Sequence, residues 1–107
     1  LTTLHQPSSP VNKEVAFFDA AYGCESLSHA LPLYYTKLIK TGLISMSELI
    51  KRTVQNPALA IGIDAGEIKI GAKANAILFD IDTSSTVNNS QSLYNQETLY
   101  GAILQHF

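Results

Sequence analysis

The stretch Gly66-Glu67-Ile68-Lys69-Ile70-Gly71-Ala72-Lys73-Ala74-Asn75-Ala76-Ile77-Leu78-Phe79-Asp80-Ile81-Asp82 changes the period of the chain and decides its fold class. Glu67 to Ile70 alternates polar and apolar residues between two glycines, which predicts a half-buried strand. Ala76 to Ile81 is a nearly continuous apolar run of strand length, and such a run predicts a strand covered on both faces. Downstream, Thr83 to Ser92 is rich in Ser, Thr and Asn and reads as a loop with a brief strand at Ser85 to Val87. Tyr100 to Phe107 alternates loosely and predicts a last strand.

Upstream of the glycines the period is helical. Pro32 suits a first helical position, and Leu31, Tyr34, Tyr35, Leu38 and Ile39 recur at helical spacing until Gly42, with Lys37 and Lys40 toward the carbonyl-rich end. A second helix opens at Ser45, with Glu48 three residues on as in a capping box, and presents Met46, Leu49, Ile50 and Val54. Asn56-Pro57 is expected to end it and to cap a third, Ala58 to Ile61, closed by Gly62. Leu1 to His5 reads as a short strand stopped by Gln6-Pro7-Ser8-Ser9-Pro10, so the chain is expected to begin inside an element of something longer. Val15 to Tyr22 predicts a loop or short helix lying against a core. The fold class is therefore α/β, helices first and strands after.

Composition narrows the function. The 107 residues are 46% apolar and 15% charged, with a mean hydropathy of +0.10, which describes a foldable chain without a membrane-spanning stretch. Seven basic residues against nine acidic ones, without a run of like charge, remove the electrostatic warrant for nucleic-acid binding. Cys24 is alone, so an internal disulfide and a zinc ribbon are excluded, and a reducing cytoplasm is the expected compartment.

The residues do not spell out a catalytic constellation. His5, His29 and His106 lack the i, i+2 or i, i+4 spacing that aims two imidazoles at one metal, and the glycines at 62, 66 and 71 form no phosphate-binding loop. Cys24 needs a base to act as a nucleophile and reads better as a buried structural thiol. Tyr34-Tyr35 reads as packing, and Glu25 and Asp19 show no partner carboxylate at a fixed spacing.

The order of the pieces carries more. Thr3-Leu4-His5-Gln6-Pro7, Ala21-Tyr22-Gly23, Leu27-Ser28-His29-Ala30-Leu31-Pro32-Leu33, Gly42-Leu43-Ile44-Ser45, Asn56-Pro57-Ala58 and Gly66 to Gly71, in that order, resemble the C-terminal part of dihydroorotases. Gly71 to Asp80 is similar to the segment G-x-x-A-D-L-x-x-F-D of the amidohydrolase superfamily. The resemblance implies a TIM-barrel, zinc-dependent hydrolase of pyrimidine biosynthesis, interconverting carbamoyl-aspartate and dihydroorotate. Residues 1–62 would be the end of the barrel, with Leu1 to Leu4 as its eighth strand and the helices outside, and residues 63–107 a segment of a small β-domain.

Against that family the active-site face is altered. The family's T-D-H-A-P-H reads Thr3-Leu4-His5-Gln6-Pro7-Ser8 here, so Leu4 stands where the resemblance places the general base, and a leucine can neither hold a cation nor take a proton. Ser8 stands where the family has a histidine for the substrate carboxylate, and Gly23 keeps its place in the substrate loop. The resemblance thus implies no catalytic residue and no metal ligand in this chain, with His5, Ser8 and Gly23 as substrate-facing positions. Three readings stay open: a homologue that has lost catalysis and serves as a structural partner of aspartate transcarbamoylase, an active divergent cyclic amide hydrolase, or an inert fragment. Exposed apolar faces would then pair with a second copy or with the missing N-terminal part of the parent chain.

Overall fold

A computed structural model describes residues 1–107 as two helical rods and one antiparallel two-stranded sheet. The first rod begins with a 3-10 turn, Leu27–His29, continues as α1 (Ala30–Tyr34) and widens into a π turn, Tyr35–Ile39. The second consists of α2 (Met46–Ile50), a π turn over Lys51–Gln55, and α3 (Asn56–Ile61). Ser45 caps α2 as expected, its hydroxyl accepting the Glu48 N–H at 3.1 Å, while the Glu48 carboxylate turns away to Arg52. Asn56-Pro57 does not end this rod. The Asn56 N–H reaches back to the Lys51 carbonyl, and that wider i→i+5 spacing makes room for a proline that has no N–H of its own to place. Gly62, at φ 73°, closes the rod, with the Ile63 N–H on the Ala58 carbonyl at 2.9 Å.

β1 (Ile77–Thr86) and β2 (Thr98–His106) pair from Ile77↔His106 to Thr86↔Thr98. The ladder slips between Asp80↔Ala102 and Ser84↔Tyr100, so three residues of β1 stand opposite one of β2. Asp80 pins this bulge: its carboxylate accepts the Asp82 N–H at 2.9 Å and the Thr83 hydroxyl at 2.6 Å, and these bonds, the hydroxyl first, hold its pKa below the usual carboxylate range. β1 therefore takes in the first part, Thr83 to Thr86, of what reads as a Ser/Thr loop in the sequence. The last strand forms as expected.

Further sequence expectations are corrected. Glu67 to Ile70 is not a strand; it has no partner to pair with, and Ile68 and Ile70 are fully exposed. The Ala76–Ile81 run is not covered on both faces, since Ile77, Leu78 and Ile81 remain exposed on a sheet of only two strands. Val15 to Tyr22 forms turns that stand off any core, with Phe17 and Phe18 packed only on each other, edge to face. Likewise no strand forms over Leu1 to Leu4: the segment makes a single parallel bridge, His5 with Cys24, because the chain offers it no neighbouring strand.

The core joins the first rod to the sheet. Leu33, Val87 and Leu99 pack together with Tyr94 against them, and Leu49 and Ala58 are buried in the second rod. Around this core Thr36 binds both backbone groups of Tyr100, Lys37 pairs with Glu97, and the Lys40 ammonium lies 3.4 Å from the centre of the Tyr100 ring. Yet only 10 of 107 residues are buried. The accessible surface is 7853 Å², against about 5,800 Å² for a folded monomer of this mass. The radius of gyration is 16.3 Å, against about 13 Å for a compact domain of this length. Both excesses have one cause: the chain leaves broad apolar faces uncovered.

Candidate functional site

Of the positions singled out in the sequence, two share one cavity beside the first rod. Leu4 and Gly23 line a cavity of about 510 Å³ together with Lys13, Cys24, Tyr34 and Tyr94. Leu4 is 76% exposed with φ at 49°, a left-handed conformation that leucine rarely adopts. Gly23 is required where it sits: φ is 81°, and a Cβ there would fall 2.5 Å from the Gln6 Cβ, so only glycine lets the two segments bridge. Lys13 ties the loop down by donating to the carbonyls of Ala21 and Gly23. Ser8 does not line this cavity, and its buried hydroxyl has no hydrogen-bond partner. Cys24 is half-buried at the cavity wall, more open than the buried thiol expected of it.

His5 is engaged in the backbone. Its Nδ1 accepts the N–H groups of Ser26 and Leu27, both at 3.2 Å, which leaves the ring proton on Nε2. Next to it lies a cluster that the sequence reading did not assemble. Glu25, buried at the start of the rod, accepts the Ser28 N–H at 3.0 Å and the Asn89 side-chain amide at 3.2 Å. His29, one helical turn on, places Nδ1 3.3 Å from Glu25 Oε2, the oxygen that Asn89 also holds, and 3.2 Å from the Ser28 hydroxyl. Its Nε2 lies 3.0 Å from the Ser92 hydroxyl, which also accepts the Tyr94 N–H. Burial pushes the Glu25 carboxyl up; the Ser28 N–H and hydroxyl, then His29 and His5, outweigh it and hold the group below the usual carboxylate range. His29 thus faces Glu25 and Ser92, not Cys24. The i, i+4 spacing of Glu25 and His29 is visible in the sequence, whereas Ser92, 63 positions on, is brought to them only by the loop after β1.

Sequence comparison places the chain. It is 34% identical over 103 residues to the "Probable dihydroorotase-like protein" of Helicobacter pylori, covering 96% of this chain and 27% of that protein. It is 33% identical over 108 residues to the dihydroorotase of Ruminiclostridium cellulolyticum, covering 94% and 25%, and 31% identical over 88 residues to that of Anoxybacillus flavithermus, covering 82% and 21%. The chain matches the C-terminal part of dihydroorotase. No protein-family model matches it. The chain spans about a quarter of the length of these dihydroorotase relatives.

The residues present do not make a zinc site of the kind the dihydroorotase resemblance implies. No three His, Cys, Asp or Glu side chains converge, Leu4 brings no donor atom, and Nδ1 of His5 is already occupied by two N–H groups. No helix is long and apolar enough to cross a membrane.

Proposed function

We propose that this chain is the C-terminal portion of a dihydroorotase-like protein that does not turn over dihydroorotate. Residues 1–62 would be the end of its barrel and residues 63–107 a segment of its β-domain. The observation that carries the reading is Leu4. At the position where the resemblance calls for a general base, an isobutyl group stands in solvent beside the 510 Å³ cavity, and no carboxylate lines that cavity in its place. Ser8, at the position of the carboxylate-binding histidine, turns its hydroxyl inward instead. Loss of both groups removes proton transfer and substrate anchoring together. The lone, unpaired Cys24 supports a cytoplasmic setting.

The test is the metal content and dihydroorotase activity of the full-length protein beside its Leu4→Asp variant. Absence of turnover in the wild type supports the proposal. Bound zinc with turnover overturns it and means that another residue supplies the base.

A second reading, a structural partner of aspartate transcarbamoylase, is favoured by the uncovered surface, above all by Phe17 and Phe18, which are 87% and 93% exposed. Co-elution of the two purified proteins from a sizing column supports this role, and independent elution at micromolar concentration removes it.

A further inference from the structure

His5 joins two segments of the chain through a single lone pair. Four hydrogen bonds tie the segment around His5 to the one that leads into the first rod. The Gln6 N–H donates to the Cys24 carbonyl at 3.0 Å and the Ser26 hydroxyl to the Thr3 carbonyl at 2.9 Å. The Ser26 and Leu27 N–H groups both donate to His5 Nδ1, at 3.2 Å, so these two bonds exist only while Nδ1 carries no proton. Both tied segments line the 510 Å³ cavity, Thr2, Thr3 and Leu4 from one and Gly23, Cys24 and Ser26 from the other. We propose that His5 is a proton-operated latch on this cavity, shut while the imidazole is neutral and released when it is protonated.

A proton on Nδ1 would point at two N–H donors, so the neutral and the charged ring cannot share one position. Histidine is the side chain whose charge changes between about pH 5 and 8. The His5 side chain is 31% exposed, which lets water deliver the proton. The charged ring also has a new partner at hand: Glu25 Oε1 lies 3.8 Å from Nδ1, outside hydrogen-bond reach, and a swing toward it gives up both N–H groups. Glu25 is ionised through this range, because against its burial the Ser28 N–H and hydroxyl hold its carboxyl below the usual carboxylate range. The Ser26 N–H turns the lost bond into an opening. Ser26 is 4% exposed, and an N–H left there without an acceptor is costly, so it must move to reach water.

The other ionisable groups nearby do not replace this switch. His29 faces Glu25 Oε2 from the rod at 3.3 Å and competes for the same carboxylate without touching the Ser26 or Leu27 N–H. Lys13, on the cavity wall, is committed to the carbonyls of Ala21 and Gly23. Cys24, Tyr34 and Tyr94 line the cavity, and none of them hydrogen-bonds the His5 ring.

The test is hydrogen exchange of the full-length protein, read by mass spectrometry on overlapping peptides that isolate Ser26 and Leu27 and normalised at each pH to the unfolded chain. Protection of these amides is expected to fall at least about tenfold between about pH 7.5 and about pH 5.5, the scale of one lost hydrogen bond. The fall is expected to vanish in His5→Asn, whose side-chain oxygen, at the same δ position, accepts N–H groups at every pH. It is expected to survive in His29→Gln. Cys24 reports the cavity wall itself: its labelling by 4,4′-dithiodipyridine, relative to the urea-unfolded chain at the same pH, is expected to rise as the amides lose protection. Constant protection in the wild type overturns the proposal, as does a fall that persists in His5→Asn or disappears in His29→Gln. A fall without any gain in Cys24 labelling overturns it as well. Should His5→Asn fail to fold, the wild type and His29→Gln decide.

Discussion

The ring of Phe79 occupies the space that a Cβ on Gly101 would need: the built atom falls 2.1 Å from Phe79 Cζ. Gly101 also has φ at 101°, so glycine is demanded both by the neighbour and by the backbone. Phe79 in turn stands edge to face with Tyr35, at 5.7 Å between centroids, so this contact joins the core and the Thr36–Tyr100 bonds in holding the sheet against the first rod. Gly101→Ala is expected to destabilise the chain by about 2–4 kcal/mol, overpacking adding to backbone strain. Urea unfolding measures it, and a Phe79→Ala/Gly101→Ala double variant is expected to lose less than the two single losses together.

Ser45→Ala is expected to cost about 1 kcal/mol, because the hydroxyl satisfies one of the orphan N–H groups of α2. Glu48→Gln is expected to change stability by well under that amount. Its carboxylate does not complete the reciprocal half of a capping box and pairs instead with solvent-exposed Arg52. Thermal unfolding of the two variants side by side separates them.

Signals of this local kind were the legible part of the fold. Ser45, Gly62 and the alternation of Tyr100 to Phe107 each act within a few residues, and each forms as its sequence predicts. Glu67 to Ile70 has equally good alternation and makes no strand, because a strand needs a partner and periodicity does not supply one. Leu1 to Leu4 fails for the same reason. Asn56-Pro57 misleads in the opposite direction, since a π turn upstream absorbs the proline that local rules treat as a stop. The altered positions Leu4 and Ser8 could be read by resemblance. The Glu25–His29–Ser92 cluster could not, because its third member arrives from 63 residues away through tertiary packing.

The uncovered surface predicts association of the 107-residue chain on its own. Phe17 and Phe18 meet edge to face at 5.5 Å and are otherwise exposed, and Leu1, Leu4, Val11 and Tyr22 are exposed on the same N-terminal part of the chain. Burial of such side chains is worth roughly 1.5–3 kcal/mol each. Sedimentation velocity is expected to show a weight that rises with concentration. Phe17→Ser/Phe18→Ser is expected to reduce that rise without lowering the unfolding midpoint, since neither ring touches the Leu33, Val87 and Leu99 core. A concentration-independent monomer would contradict it.

Acid should loosen the joint between the rod and the loop after β1 before it affects the second rod. The Glu25 carboxyl has its pKa lowered in the folded chain, so the unfolded chain takes up a proton there more readily. The stability this contributes is fully present above the unfolded value, near about 4.3. It is lost as pH falls through the lower, folded value. Glu25→Gln is expected to reduce stability at neutral pH and to flatten the fall below about pH 5. Asp80, whose pKa is also lowered, contributes to the same acid limb from the bulge of β1. Its bonds to Thr83 and Asp82 are local and solvent-screened, so Asp80→Asn is expected to remove less of the slope than Glu25→Gln. Urea unfolding across pH 3 to 7 resolves the two, because only the Glu25 contribution should persist when salt is raised.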